Sequence, residues 1–111
     1  MTTIPSGHPG FHRARDHHVC SAKPCLCGGT IGEGEVHVSV HDCQPQMSSA
    51  GRPLTHLRHN HFSAHYHVVC FFLSHTTDTR TSVVRYEFED LEHVDRHGDE
   101  ARRLLDDFRR N

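Results

Sequence analysis

Cysteine and histidine are the residues of this chain whose chemistry stands out. Five cysteines and 14 histidines occur among its 111 residues, and their side chains supply the sulfur and nitrogen donors that zinc prefers. The odd number of cysteines, two of them separated by a single residue, suits a metal site better than a framework of disulfides. The composition therefore points to a metal ion before any motif is read.

Two short segments carry the best candidate ligands. In the first, Gly28 and Gly29 follow a pair of cysteines, and glycine lets the backbone curl so that amides point at thiolate sulfur. In the second, His67 and Cys70 are three residues apart, so that on a helical turn both side chains face the same way. We expect one structural zinc ion, Zn²⁺, with four ligands: Cys25, Cys27, His67 and Cys70.

The spacing of the first pair leaves alternatives open. Paired zinc ligands are usually separated by two to four residues, whereas one residue separates Cys25 from Cys27. Cys20 could replace either of them, and Cys43 is interpreted as a spare thiol. A second or alternative site could draw on further histidines, although histidines in polar stretches are more often solvated; these candidates are His56, His59, His61, His65 and His75.

The periodicity of the sequence predicts the elements that position these ligands. Val36, Val38 and Val40 alternate with polar residues, which is typical of a strand with one apolar face and one imidazole-rich face. Residues 81–88 are β-branched and aromatic and predict a second strand. Apolar residues at helical spacing near the C-terminus predict an amphipathic helix; they are Ala101, Leu104, Leu105 and Phe108. The predicted fold class is a small α+β zinc-binding domain, with a short antiparallel sheet, a ligand-bearing helix and a C-terminal amphipathic helix.

The organisation of the chain is predicted from its composition. Residues 1–19 are rich in proline, glycine and polar side chains and predict a flexible leader. Residues 20–111 would then form one zinc-finger-like domain, with an inserted loop at about 42–60. A hydrophobic content of 34% makes a purely apolar core marginal, and a structural metal would supply the missing stability. No long apolar run or signal sequence is found, so we expect a cytoplasmic protein without membrane contact.

The order of several motifs resembles a known family. The motifs are Cys27-x3-Ile31, Gly34-Glu35-Val36-His37-Val38, His65-Tyr66-His67-x2-Cys70-Phe71 and Phe88-x2-Leu91-x3-Asp95. Together they resemble the zinc-finger domain of poly(ADP-ribose) polymerases, which is also found in a DNA ligase. The similarity extends between residues 25 and 110.

This resemblance implies a structural zinc ion and a domain that recognises DNA nicks, gaps and ends through the sugar-phosphate backbone. Three departures affect that expectation. A phosphate-contacting arginine of the family corresponds to His37, a tryptophan corresponds to His65, and the interval from Cys27 to His67 is longer than in the family. The resemblance therefore supports the predicted fold more than the DNA-binding function.

Two functions follow as expectations. The first is DNA binding through backbone phosphates by arginines and protonated histidines: His37, His41, Arg52, Arg58, Arg80 and Arg85. The formal charge of -2 does not favour strong binding to a polyanion, but histidine protonation should strengthen it below neutral pH. The alternative is a zinc-stabilised protein-interaction module that uses Phe71 and Phe72. Four protein ligands leave no place for a catalytic water, so neither an enzyme nor a small-molecule substrate is expected.

Overall fold

The computed structural model describes residues 7–74 and 86–111. Strands β1 (Gly7–Arg13), β4 (Val36–Gln44) and β5 (Asn60–Tyr66) form an antiparallel sheet of order β1-β4-β5. Between them in sequence, β2 (His18–Val19) and β3 (Thr30–Ile31) form a two-stranded ribbon. The helices of this described part are α1 (Val68–Leu73), α2 (Phe88–Glu92) and α3 (Gly98–Arg110). The chain is thus a short antiparallel sheet accompanied by a few helices.

The alternating pattern of β4 separates the two faces of the sheet. Val36, Val38 and Val40 are all buried, and side chains of one parity in a strand share a face. On the neighbouring strands Phe11 pairs with Val38, and Val38 also pairs with Tyr66. This face forms the apolar core with residues of the helices: Val69, Phe88, Leu91, Ala101 and Leu105. The predicted strand with an apolar face is confirmed.

The predicted flexible leader is wrong for residues 7–19. Gly7–Arg13 pairs along its length with β4, and Phe11 is 1% exposed within the core. The Phe11 amide also donates a hydrogen bond to the carboxylate of Asp95, which ties β1 to the turn before α3. These long-range contacts hold a segment whose own composition is that of a loop.

The second half of the chain differs from the prediction in two places. Phe88 begins a helix rather than ending a strand, and a reciprocal capping box between Glu87 and Asp90 fixes the start of that helix; residues 81–85 lie outside the described residues. In α3, Ala101 and Leu105 are buried, whereas Leu104 and Phe108 are 37% and 41% exposed. The apolar stripe of α3 is therefore only partly covered within the described part of the chain.

The predicted insertion is shorter in the structure. Strand β4 continues to Gln44 and β5 begins at Asn60, so the connecting loop covers residues 45–59. A turn in this loop is closed by a hydrogen bond from the Ser48 amide to the carbonyl of Arg52. In the described ranges no helix has both the length and the apolar character needed to cross a lipid bilayer.

Candidate metal centre

Four predicted or alternative ligands converge at one end of the sheet. The ligand atoms of Cys20, Cys25, His67 and Cys70 all lie within 4.8 Å of one another. We call these four residues the Cys₃His cluster. Cys20 and Cys70 are buried and Cys25 is partly buried, so the cluster faces the interior of the domain and is placed to hold a metal ion.

Three distances within the cluster match those between the ligands of a tetrahedral metal ion such as zinc. Zinc–sulfur and zinc–nitrogen bonds of normal length require ligand atoms about 3.5–3.8 Å apart in a tetrahedron. The Sγ atoms of Cys25 and Cys70 are 3.7 Å apart. His67 Nδ1 lies 3.5 Å from Cys25 Sγ and 3.7 Å from Cys70 Sγ. Three edges of the tetrahedron therefore have the lengths that zinc requires.

Backbone amides surround the sulfur atoms. Gly29 donates to Cys25 Sγ at 3.2 Å, and Leu26 donates to Cys70 Sγ at 3.2 Å. Gly28 and Gly29 have φ angles of 90° and 91°, in the left-handed region that residues with a Cβ rarely adopt. The two glycines thus allow the turn that aims amides at Cys25. Such outer contacts stabilise thiolate charge and orient metal ligands.

His67 is held in the orientation of a zinc ligand. Its Nε2 lies 2.9 Å from the carbonyl oxygen of Thr30, to which it donates a hydrogen bond, so that the lone pair of Nδ1 faces the sulfur atoms. The Glu35 carboxylate approaches the same Nε2 to 3.9 Å. A carbonyl or carboxylate on the distal nitrogen is the usual partner of a metal-binding histidine.

The predicted ligand Cys27 does not belong to this cluster. Cys27 is an exposed residue, and its amide donates to Cys25 Sγ at 3.5 Å, so the turn wraps around Cys25 and leaves the Cys27 thiol at the edge of the cluster. Cys20 takes the place of Cys27 because its amide donates to the Gly29 carbonyl and the next amide donates to the carbonyl of His65. Cys27 stays near the rim, where it interacts with the Cys70 thiol.

The thiols of the cluster differ in their acidity. Burial raises the pKa of Cys20 and of Cys70. Burial alone would also raise the pKa of Cys25, but hydrogen bonds from the amides of Cys27 and Gly29 lower it to about 7. Cys25 is therefore the thiol most ready to bind a cation first, and a bound cation would favour the thiolate form of the other two.

A second cluster lies on the sheet face opposite the core. His18, His37 and His65 place ligand nitrogens within 4.8 Å of one another. We call these residues the three-histidine cluster. Burial lowers the pKa of His37, and burial followed by the charges of His18 and His37 lowers the pKa of His65 to about 4. His37 is 2% exposed, so the protein does not present this side chain at its surface for the predicted contact with phosphate.

Three of the remaining predicted DNA contacts are described by the structure and belong to neither cluster. His41, Arg52 and Arg58 are exposed, with His41 on β4 and both arginines in the loop of residues 45–59. Arg80 and Arg85 lie outside the described residues, as does the candidate ligand His75. None of the predicted phosphate contacts among the described residues belongs to the Cys₃His cluster.

The other candidate histidines show no compact site. His56 is exposed in the loop before β5. Cys43 Sγ lies 3.6 Å from His59 Nδ1 and 4.0 Å from His61 Nε2, all three side chains being exposed. Among the described members of this predicted group, only His65 belongs to a cluster that could hold a metal ion, and its neighbours there, His18 and His37, were not predicted as ligands. His37 alternates with Val36 and Val38 along β4, and this pattern is the sequence signal that places His37 on the face opposite the core.

Comparison with known proteins adds no relative: no family model matches the chain, and no curated protein or solved structure matches it. The resemblance to the zinc finger of poly(ADP-ribose) polymerases therefore remains an expectation from the motifs.

Proposed function

We propose that this protein is a small binding module whose fold is stabilised by one structural zinc ion in the Cys₃His cluster. The observation that carries the proposal is the convergence of three sulfurs and one oriented imidazole within 4.8 Å of one another, with the Cys25, Cys70 and His67 ligand atoms at tetrahedral spacing. Four protein ligands complete the coordination shell of zinc and leave no position for a substrate. The role of the ion is therefore to join segments that are distant in sequence, and no catalytic role is assigned to it.

The position of the ligands supports a structural role. Cys20 follows β2, Cys25 lies in the glycine turn before β3, and Cys70 lies in the first turn of α1. A single ion would connect the ribbon of β2 and β3 to the end of β5 and to the helix. Such a connection stabilises a small domain whose apolar core is limited.

Cobalt substitution tests this coordination directly. Protein reduced and loaded with Co²⁺ should take up one tightly bound ion and show strong sulfur-to-metal charge transfer together with the visible bands of tetrahedral cobalt. X-ray absorption of the zinc form should give three sulfur neighbours at about 2.3 Å and one nitrogen at about 2.0 Å. A shell dominated by oxygen or nitrogen would contradict the proposal.

Binding to nucleic-acid phosphates is the second candidate function. It is favoured by the exposure of Arg52 and Arg58 in one loop and of His41 on the adjacent strand, because exposed arginines pair well with phosphate.

The alternative function, a protein-interaction module, depends on two aromatic residues that pack against neighbouring aromatic rings. Phe72 packs against Phe88 at 5.2 Å and Phe71 against Tyr66 at 5.4 Å, so each ring is partly covered by the core.

The DNA-binding proposal predicts a specific pattern of losses. The zinc-loaded protein should shift nicked duplex DNA at low ionic strength and slightly below neutral pH, and the affinity should fall steeply with added salt as counterions are released. Replacing Arg52 and Arg58 by alanine should weaken binding and reduce the slope of affinity against salt concentration. Arg109→Ala, at the exposed end of α3, is the matched control. The absence of any complex under these conditions would leave the protein-interaction alternative as the better proposal.

A further inference from the structure

From the geometry of the three-histidine cluster we infer that this protein binds a second, exchangeable divalent transition-metal ion, separate from the zinc of the Cys₃His cluster. The ligands are one nitrogen each of His18, His37 and His65, whose ligand atoms lie within 4.8 Å of one another. Imidazole suits zinc, nickel and cobalt, so the ligand is an ion of this class.

The three imidazoles come from three different strands. His18 lies on β2, His37 on the central strand β4 and His65 on β5. The rings of His18 and His65 stack with centroids 3.8 Å apart, and the rings of His37 and His65 are 5.1 Å apart. Ligands on paired strands are held more firmly than ligands on loops. The sheet therefore positions His37 and His65, and the ribbon of β2 and β3 positions His18.

The orientation of His37 is that of a ligand. His37 Nδ1 lies 3.2 Å from the carbonyl oxygen of Glu35, and donation to this carbonyl leaves the lone pair of Nε2 for the cluster. That Nε2 is 2.9 Å from His65 Nδ1, a hydrogen-bond distance in which one of the two nitrogens accepts. Two nitrogens bound to one zinc ion are about 3.3 Å apart, so His37 and His65 need to separate by only a few tenths of an ångström. The His18 ring stacks on His65 at an interplanar angle of 11°, so it must tilt before its in-plane lone pair can reach the same ion.

Binding of the second metal ion requires His65 to change its tautomer. In the hydrogen-bonded pair His65 Nδ1 donates to His37 Nε2, so the proton on Nδ1 must move through solvent to the other ring nitrogen. The lone pairs of both facing nitrogens can then reach the ion. His65 and His18 are partly exposed, which gives water access to the rings. No oxidant or other reactant takes part in this exchange.

The second ion should be held less tightly than the first. Three thiolates of the Cys₃His cluster neutralise the charge of zinc, whereas three neutral imidazoles leave the second ion with its full charge. Three protein ligands also leave at least one position for water or an anion, as in sites of open coordination. The two sites share segments, because His18 and His65 each lie two residues before a ligand of the first site, Cys20 and His67. They share no ligand atom.

A titration of the one-zinc protein tests this inference. Protein carrying one zinc per chain is titrated with Co²⁺, following heat release and visible absorption, and native mass spectrometry counts the ions. We expect a second metal ion whose spectrum lacks sulfur-to-metal charge transfer. His18→Asn and His65→Gln should each weaken this second step about 100-fold, since even outer-shell substitutions weaken metal sites by 10- to 100-fold. The first zinc should remain bound in both variants and reports that the fold is intact.

Two controls identify the site. His56→Gln removes an exposed imidazole outside the cluster and should leave the second step unchanged. His61→Gln alters the exposed group near Cys43 and should also have no effect. The inference is overturned if no second ion binds, if the cluster variants bind it as the wild type does, or if only His61→Gln abolishes it. A missing second ion with the first zinc in place counts against this inference alone, and loss of the first zinc counts against the proposed function.

Discussion

Removing zinc from the reduced protein is expected to abolish its cooperative unfolding transition. Formation of structural zinc sites contributes roughly 10–16 kcal/mol in zinc-finger peptides at neutral pH. Whole domains are stable by only about 5–15 kcal/mol, so the loss is as large as the stability of the fold. Without an ion, Cys20, Cys25 and Cys70 would also place three thiols together in a largely buried position.

Circular dichroism during thermal unfolding measures this effect. The zinc-loaded protein should melt in one cooperative step, and an excess of a strong chelator should give a broad, non-cooperative profile with lost tertiary signal. The same chelator saturated with zinc is the control, because it separates metal removal from direct effects of the chelator. A metal-free protein, verified by mass spectrometry, that keeps its full transition would contradict the structural role of the ion.

The elements that carry regular periodicity could be predicted from the sequence. Val36, Val38 and Val40 alternate over a long enough run to define β4 and its buried face. The helical spacing around Ala101 and Leu105 likewise indicates α3, with acidic residues in its first turn and basic residues in its last. Such periodic patterns arise because one face of the element is buried, and the spacing of apolar residues in the local sequence indicates that face.

Strand β1 could not be predicted in the same way. Its residues include Pro9 and Gly10, which favour turns, and its extended form depends on pairing with β4. Pairing between distant segments is decided by the partner strand and by the burial of Phe11, and neither is visible in the local composition. The incorrect strand prediction at Phe88 has a similar cause. The preceding residues favour a strand, but a capping box begins a helix at Phe88.

The sequence could predict that Cys25, His67 and Cys70 lie together as candidate ligands, because their types and spacing depend on local geometry. The choice between Cys20 and Cys27 could not be made locally. Cys27 lies in the glycine turn. There its backbone amide donates a hydrogen bond to Cys25 Sγ, and the residue is exposed. Cys20 enters the cluster through the bridge between its backbone and His65, a contact between segments that are far apart in sequence.

Cys20→Ser is therefore expected to weaken zinc binding strongly, whereas Cys27→Ser should leave it nearly unchanged. Serine keeps the size of the side chain but replaces a thiolate by a poor zinc ligand. The loss should exceed 10- to 100-fold in affinity, the range for changes in outer-shell partners. Competition with a chromophoric zinc chelator measures both affinities, and Cys43→Ser, an exposed thiol outside the Cys₃His cluster, is a matched control.

The position of Cys27 at the rim makes a double variant informative. Because Cys27 interacts with the Cys70 thiol, it could occupy the fourth position when Cys20 is replaced, and Cys20→Ser would then keep part of its affinity. Cys20→Ser combined with Cys27→Ser removes this substitute, so the double variant should bind zinc more weakly than either single variant. If Cys27→Ser alone causes the larger loss, Cys27 is the ligand in solution and the turn of residues 25–29 must rearrange around the ion to bring its sulfur inward.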